Sequence, residues 1–286
     1  MNAHVAALIV RLQEQPSHTG SLIMTLMGDA IMPRGGVVAL STVLDLCAGL
    51  DIGSGVVRTA VSRLASDGWV VASRQSRASF YEIGPARRGE FVRASRHIFG
   101  PSRRPQVDRL SLILLEAGDA REALRNRLTR LGFVAWQGVM LAPERPLPPS
   151  VAASVLAVTA TAADDTIRRI ATKAWRLEGL AALYADFIGS FRPVAAVAQQ
   201  FEPRDAMLAR ILLVHDYRKI MLRDPRLPVA FLPDPWIGAT ARGLCAAIYA
   251  ALRDASERWL DANALVQGGG LPPADSSLGH RFADVG

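Results

Sequence analysis

Residues 53–68, Gly-Ser-Gly-Val-Val-Arg-Thr-Ala-Val-Ser-Arg-Leu-Ala-Ser-Asp-Gly, constrain this chain more than any other stretch. At about 100° per residue, Val57, Ala60, Val61 and Leu64 fall within an arc of about 100°, and Arg58, Thr59, Ser62, Arg63 and Ser66 within about 140° on the other side. One face can pack. The other offers two guanidinium groups and three hydroxyls, with no acid before Asp67. Arginine can bridge guanine O6 and N7, and hydroxyls reach base edges or phosphates. The pattern predicts a helix that reads DNA through Arg58, Thr59, Ser62 and Arg63. A solvated polar face is the plainer alternative.

The surroundings agree. Residues 21–31 carry apolar side chains at helical spacing and stop at Pro33, and Gly35-Gly36 is a turn. Ser41 is placed to cap a short helix to Leu50, and Ser54 to cap the helix that follows the tight connection Asp51-Ile-Gly-Ser-Gly55. Gly68 closes that helix. Residues 69–72 and 79–83 predict two short strands around a polar turn, 73–78, which holds Arg74 and Arg77. Pro85 opens a helix over 86–99. Helix, short helix, tight turn, helix and hairpin is the order of a winged helix-turn-helix. Arg74 and Arg77 would then meet the phosphate backbone or the minor groove. The Ser41 hydroxyl and a nearby backbone N–H could meet a phosphate, with a plain helix cap as the alternative.

Charge supports the same surface. The chain has a net charge of +7, and residues 56–104 hold ten arginines against three acids, which accounts for all of it. Such a block attracts a polyanion over roughly 10 Å. Two cysteines, Cys47 and Cys245, are too few for a disulfide framework and are expected as buried thiols. No run approaches the ~20 apolar residues of a bilayer span, so the expectation is a cytoplasmic protein without a membrane partner. Residues 3–10 are read as a short helix, not a signal peptide.

Beyond a Gly/Pro linker at 100–105, a strand (109–116), a helix to Arg130 capped by Asp119, strands at 133–136 and 139–142 and a strand at 155–159 suggest a ferredoxin-like α+β domain with a very short second helix. From 164 the patterns are helical: 164–175, 177–190, 203–222 and 240–262. The expected class is multidomain α+β: residues 1–104 a winged helix-turn-helix domain, 105–163 (with an alternative end near 190) the ferredoxin-like domain, 164–263 a helical C-terminal domain, and 264–286 a disordered tail. No phosphate-cradling glycine loop, HExxH, GxSxG or Cys/His ligand set occurs, so the expectation is no enzyme, no cofactor, no catalytic residue and no metal site. Glu116 and Asp119 are the one weak pointer to a metal-dependent nuclease.

Several segments together resemble the PaaX family of bacterial repressors. They are Gly28-Asp-Ala-Ile-Met-Pro-Arg-Gly-Gly36, Val57-Arg-Thr-Ala-Val-Ser-Arg-Leu64 with Asp67-Gly-Trp69, Arg96-His-Ile-Phe-Gly-Pro101, Leu131-Gly-Phe133 with Met140-Leu-Ala-Pro143, His215-Asp-Tyr-Arg218 with Leu222-Arg-Asp-Pro225, and Leu232-Pro-Asp-Pro-Trp236. The matches run in order from about Ser21 to Asp261. The resemblance implies a winged-helix domain, a ferredoxin-like middle domain and a helical C-terminal domain. It also implies repression of phenylacetate degradation genes and release from DNA by phenylacetyl-CoA. Operator double-stranded DNA, an aryl-CoA effector and a second copy of the chain, as a homodimer, are the expected partners. The wing turn holds only two arginines, and no CoA-phosphate cluster stands out in the C-terminal half. Effector candidates are therefore the aromatic and cationic groups of the resembling segments: Trp175, His215, Tyr217, Arg218, Arg223 and Trp236. A regulator of another aromatic or fatty-acid pathway that responds to acyl-CoA is the alternative, and a metal-dependent nuclease a second one. The winged-helix segment has few spare apolar residues, so the effector site is expected after about Arg109.

Overall fold

A computed structural model describes residues 1–14, 19–102 and 104–285. In chain order the elements are α1 (Ala3–Glu14), α2 (Thr19–Leu26), β1 (Val37–Ala39), α3 (Leu40–Gly49), α4 (Ser54–Ser66), β2 (Val70–Gln75), β3 (Ala78–Ile83) and α5 (Arg88–Phe99). There follow β4 (Leu110–Leu114), α6 (Arg121–Arg130), β5 (Val134–Trp136), β6 (Val139–Pro143), α7 (Pro149–Ala152), β7 (Leu156–Ala160) and α8 (Asp164–Ala174). The chain ends with α9 (Leu177–Ala195), α10 (Pro203–Met221), α11 (Ile237–Asn263), β8 (Leu265–Val266) and β9 (Gly269–Gly270). The class is α+β. None of the described helices is long and apolar enough to cross a membrane.

The chain forms two compact units that do not follow the predicted linear order. The first joins Met1–Pro101 to Tyr184–Leu222 and Ala239–Gly286; the second joins Ser102–Leu183 to Arg223–Gly238. The helical region expected as one domain from 164 to 263 is therefore divided between them. Periodicity identifies helices but carries no information on which partner a helix buries its face against.

In the first unit, α4 is amphipathic as expected: Val57 and Val61 are buried. Gly68 lies in the left-handed region at φ 71°. Trp69 N–H donates to Leu64 C=O at 2.8 Å and Gly68 N–H to Ala65 C=O at 3.1 Å, the paired bonds that end a helix at a left-handed glycine. The three-stranded antiparallel sheet has the order β1-β3-β2. Its hairpin is longer than predicted. Pairing runs out to Gln75 opposite Ala78, so the turn is the two residues Ser76 and Arg77, and Arg74 sits on the strand. The polar residues 73–75 extend β2 because the outer end of the hairpin is exposed and pairs without an apolar face.

Three expected caps are absent. Ala39, Gly53 and Ala120 occupy the N-cap positions of α3, α4 and α6, and none of them makes a side-chain cap bond. Ser41 and Ser54 lie inside their helices, and Asp119 lies one residue before the α6 cap. The tail is a further correction. Residues 264–285 were expected to be disordered, yet Leu271, Leu278 and Phe282 are buried. Asp275 N–H donates to Pro33 C=O at 2.7 Å, and Phe282 N–H donates to Phe99 C=O at 2.9 Å. The Phe282 ring lies 5.5 Å from Phe99, 5.7 Å from Tyr249 and 6.0 Å from Tyr217, centroid to centroid. One aromatic ring and a few apolar residues anchor a stretch whose composition is that of a linker. Cys47 and Cys245 are buried free thiols, and burial raises the Cys47 thiol to about 12.

In the second unit, β4 is central in an antiparallel sheet of order β5-β6-β4-β7. Ile113, Leu128, Phe133, Met140, Ala142 and Val151 form its core, with Leu128 from α6 and Val151 from the single-turn α7. Trp175, at the end of α8, packs edge-on against Phe231 at 6.4 Å.

Gly84 holds the hairpin against the end of α4. A Cβ there would lie 2.5 Å from the Gly68 carbonyl oxygen, which is backbone and cannot swing away. Gly84→Ala is expected to destabilise the first unit by about 1–3 kcal/mol, whereas Gly243→Ala in α11, with open space around it, should be neutral or stabilise by up to about 1 kcal/mol. Urea unfolding of the two variants checks this, and equal stabilities would contradict it.

Candidate nucleic-acid interface

Burial of Val57 and Val61 fixes the rotation of α4 and turns the opposite face outward. Arg58, Thr59, Ser62 and Arg63 are all exposed. The packing partners of α4 are α2, α3 and β2; Leu64 lies 3.8 Å from where a side chain on Gly20 of α2 would begin. Thr59 Oγ donates to Gly55 C=O at 2.9 Å, so its hydroxyl is oriented along the helix and remains an acceptor toward solvent. Val56, which the sequence reading passed over, is 54% exposed on the same helix. The same periodicity sets it apart: Val56 lies about 100° from Val57, outside the packing arc and beside Arg63. On the hairpin, Arg74 and Arg77 are exposed, and Ser76 takes a left-handed φ of 54° to make the tight turn.

The structure sorts the basic block. Arg87 pairs with Glu90 at 2.8 Å and lies over the Trp69 ring at 4.5 Å; Arg88 pairs with Glu82 at 3.0 Å; Arg104 pairs with Asp224 at 3.2 Å. Arg58, Arg63, Arg74, Arg77, Arg93 and Arg96 are exposed and make no side-chain ion pair among the described residues. Arg103 lies outside the described residues. Positive charge is thus left uncompensated on α4, the hairpin and α5. Ser41, in the first turn of α3, is exposed.

The effector candidates are dispersed. Trp175, Arg223 and Trp236 belong to the second unit; His215, Tyr217 and Arg218 lie on α10 in the first. Tyr217 is buried with its ring against Phe187 and Phe282. His215 is buried with Nδ1 3.2 Å from Thr25 Oγ, and its Nε2 has no hydrogen-bond partner among the described residues. Burial, helped by Lys219 and Arg218, lowers its pKa to about 3, so the folded protein holds a neutral imidazole. Arg218 lines a cavity of about 350 Å³ within the first unit. Most of that cavity's wall comes from α2 and its continuation to Pro33, from α5 and from the tail, so the expectation that the N-terminal segment has no room for a pocket is overturned. The segment gains the room because α10 and the tail return to complete it. Glu116 and Asp119 are both exposed. Among the described residues no group of three or more His, Cys, Asp or Glu could hold a metal ion.

Family models match this chain twice: a PaaX-like protein model over residues 18–85 and a PaaX-like protein C-terminal domain model over 175–262. Transcriptional repressor PaaX of Escherichia coli strain K12 is 34% identical over 288 aligned residues, spanning 93% of this chain and 90% of the relative. The chain belongs to the PaaX family. The first PaaX match runs from the start of α2 to the end of β3 and contains every predicted DNA-contacting residue. The C-terminal match takes in α10 and nearly all of α11. In fold the chain is similar to an uncharacterized protein from Mycobacterium tuberculosis, with a TM-score of 0.54, 21% identity, and coverage of 83% of this chain and 97% of that one.

His215 gives this unit a defined response to pH. Its folded-state pKa is depressed, so its contribution to stability is full above the unfolded value near 6.5 and is lost as pH falls from there toward about 3. The loss steepens below 6.5 toward a limit of roughly 1.4 kcal/mol per pH unit. Between pH 6.5 and 5.5, where the unfolded imidazole goes from half to mostly protonated, the wild type should therefore lose about 1 kcal/mol more unfolding free energy than His215→Gln. Parallel losses in the two proteins would contradict the buried neutral imidazole.

Proposed function

We propose that this protein is a DNA-binding transcriptional repressor of phenylacetate catabolism genes. The observation that carries the DNA-binding half is the outward arginine-hydroxyl face of α4, flanked by two unpaired hairpin arginines. We read α2, α3 and α4 with the β2–β3 hairpin as a winged helix-turn-helix, with α4 in the major groove. Arg58 and Arg63 are the groups for guanine edges, Thr59 and Ser62 for base edges or phosphates, and Val56 for a thymine methyl. Arg74 and Arg77 would meet phosphates or the minor groove, and Ser41 a phosphate near the start of α3. The strand order of the second unit supports a ferredoxin-like reading of its sheet. The α9–α11 region is read as helical mass that completes the DNA-binding unit and holds the regulatory machinery.

Two copies related by a two-fold axis would present two α4 helices to half-sites about 10 bp apart, or a multiple of that. The regulated pathway and the effector, an aryl-CoA thioester such as phenylacetyl-CoA, rest on the resemblance to the PaaX repressors. The thioester would favour a conformation whose α4 spacing mismatches the operator, and its effect is bounded by its differential affinity for the two conformations.

Gel-shift titration on the DNA upstream of its own gene tests this. Arg63→Ala should cost about 1–3 kcal/mol of specific binding and relax preference at one operator position. Arg74→Ala and Arg77→Ala should weaken binding to all sequences alike and each reduce the salt dependence by roughly one unit. If Arg63→Ala leaves affinity and preference unchanged, α4 is not the reading helix.

A further inference from the structure

The 350 Å³ cavity of the first unit is unlike an ordinary packing defect. Met24, Met32, Phe91 and Phe99 supply apolar wall, and Arg218 supplies a cation. Arg218 donates through Nη2 to Ser21 C=O at 3.0 Å and to Ser21 Oγ at 2.6 Å. Its Nε is buried and has no hydrogen-bond partner, and the guanidinium makes no ion pair among the described residues. The buried arginines of the unit each have a carboxylate, unlike the half-buried Arg218: Arg34 has Glu257 and Asp261, Arg210 has Asp29 and Glu257, and Arg242 has Asp284. Desolvation without a counter-ion lowers the pKa of Arg218, whereas Arg210 and Arg242 are raised. A half-buried cation whose buried Nε lacks an acceptor is costly unless something else completes it. Asp29 also lines the cavity, but it is already engaged by Arg210, Arg281 and Tyr249.

We propose that this cavity is a ligand site for a small planar apolar group whose carbonyl or carboxylate oxygen is held by Arg218. The proposal deepens the effector reading and rests on it: the acyl end of an aryl thioester has this chemistry. The volume lies at the small end of the range for ligand pockets, enough for one ring and a short chain. The nucleotide end of the thioester must therefore remain outside, where the exposed Arg96 stands at the edge of the cavity. Two methionines suit a wall that adapts to the ring. Gly28 permits the close approach of Phe91: a Cβ there would lie 3.2 Å from that ring. Met24 and Thr25, which line the cavity, belong to α2, and α2 is also the helix against which α4 packs. A ligand in the cavity therefore presses on the element that sets the position of the reading helix. The effector site is thus placed behind the DNA-binding surface itself, with Trp175, Arg223 and Trp236 outside it.

Calorimetric titration with phenylacetyl-CoA, phenylacetate and CoA alone, together with gel-shift, tests the site. The variants are Arg218→Gln, which removes the charge, and Ser277→Trp, which fills the cavity from an exposed tail position. Wild type should bind phenylacetyl-CoA. Both variants should bind it at least about tenfold more weakly, the scale of losing one charge-assisted hydrogen bond, while holding DNA within about twofold of wild type in its absence. If phenylacetyl-CoA binds both variants and releases them from DNA as it does wild type, the cavity is not the site, although the effector reading stands. If no probe releases wild type from DNA but one still binds and both variants lose it, the cavity stands and the effector reading fails. If no probe binds wild type, both are overturned.

Discussion

The first unit is organised around the buried ion pair between Asp29 and Arg210. Arg210 is wholly enclosed and Asp29 nearly so. Arg210 Nε donates to Asp29 Oδ2 at 2.7 Å and Nη1 to Glu257 Oε1 at 2.6 Å, while Tyr249 hydroxyl donates to Asp29 Oδ1 at 2.9 Å and Arg281 also pairs with that carboxylate. Burial opposes ionisation of Asp29, but the two guanidinium groups hold its carboxyl below the usual range. Glu257 extends the network to Arg34 at 2.7 Å. Removing one partner from such a set leaves an uncompensated charge and costs about 3–5 kcal/mol. The π-turn Met27–Ile31, α10, α11 and the tail must consequently come together for any of them to be stable.

That requirement explains why α4, the proposed reading helix, does not belong to a self-contained N-terminal domain. Asp29 follows directly on α2, and α2 supports α4. The partners of Asp29 come from more than 180 residues further along the chain. The position of α4 therefore depends on the C-terminal helices, and a change felt by them is a change felt by α4. The cavity lies on this route, between the support of α4 and the helix that carries Arg210 and Arg218.

Much of the geometry of α4 and the hairpin was legible in the sequence because it depends on local rules. The rotation of α4 follows from Val57 and Val61, its end from Gly68, and the hairpin from the strand signals around Arg77. The family resemblance was carried by short motifs such as Val57-Arg-Thr-Ala-Val-Ser-Arg-Leu64. What was missed depends on distant partners. Neither Asp29 nor Arg210 carries a periodic signature, and both fall in patterns that read as ordinary helix. Phe282 and Arg281 lie in a stretch whose glycines and prolines mask two anchoring residues. Phe91 was read only as part of a helix, although Gly28, small where the ring crosses, was the available clue. The domain plan failed for the same reason: helical periodicity does not say which chain segment covers the buried face.

In the proposed function the exposed face of α4 gives this protein preference for particular DNA sequences, beyond the attraction of its positive charge. The most direct measurement is the ratio of dissociation constants for its own upstream DNA and for a scrambled duplex of the same length and composition, both at about 150 mM salt. Sequence reading by α4 predicts a ratio of about 1,000 or more in favour of the upstream DNA. Equal affinities, falling together as salt is raised, would show that the arginines only attract a polyanion and would contradict the account.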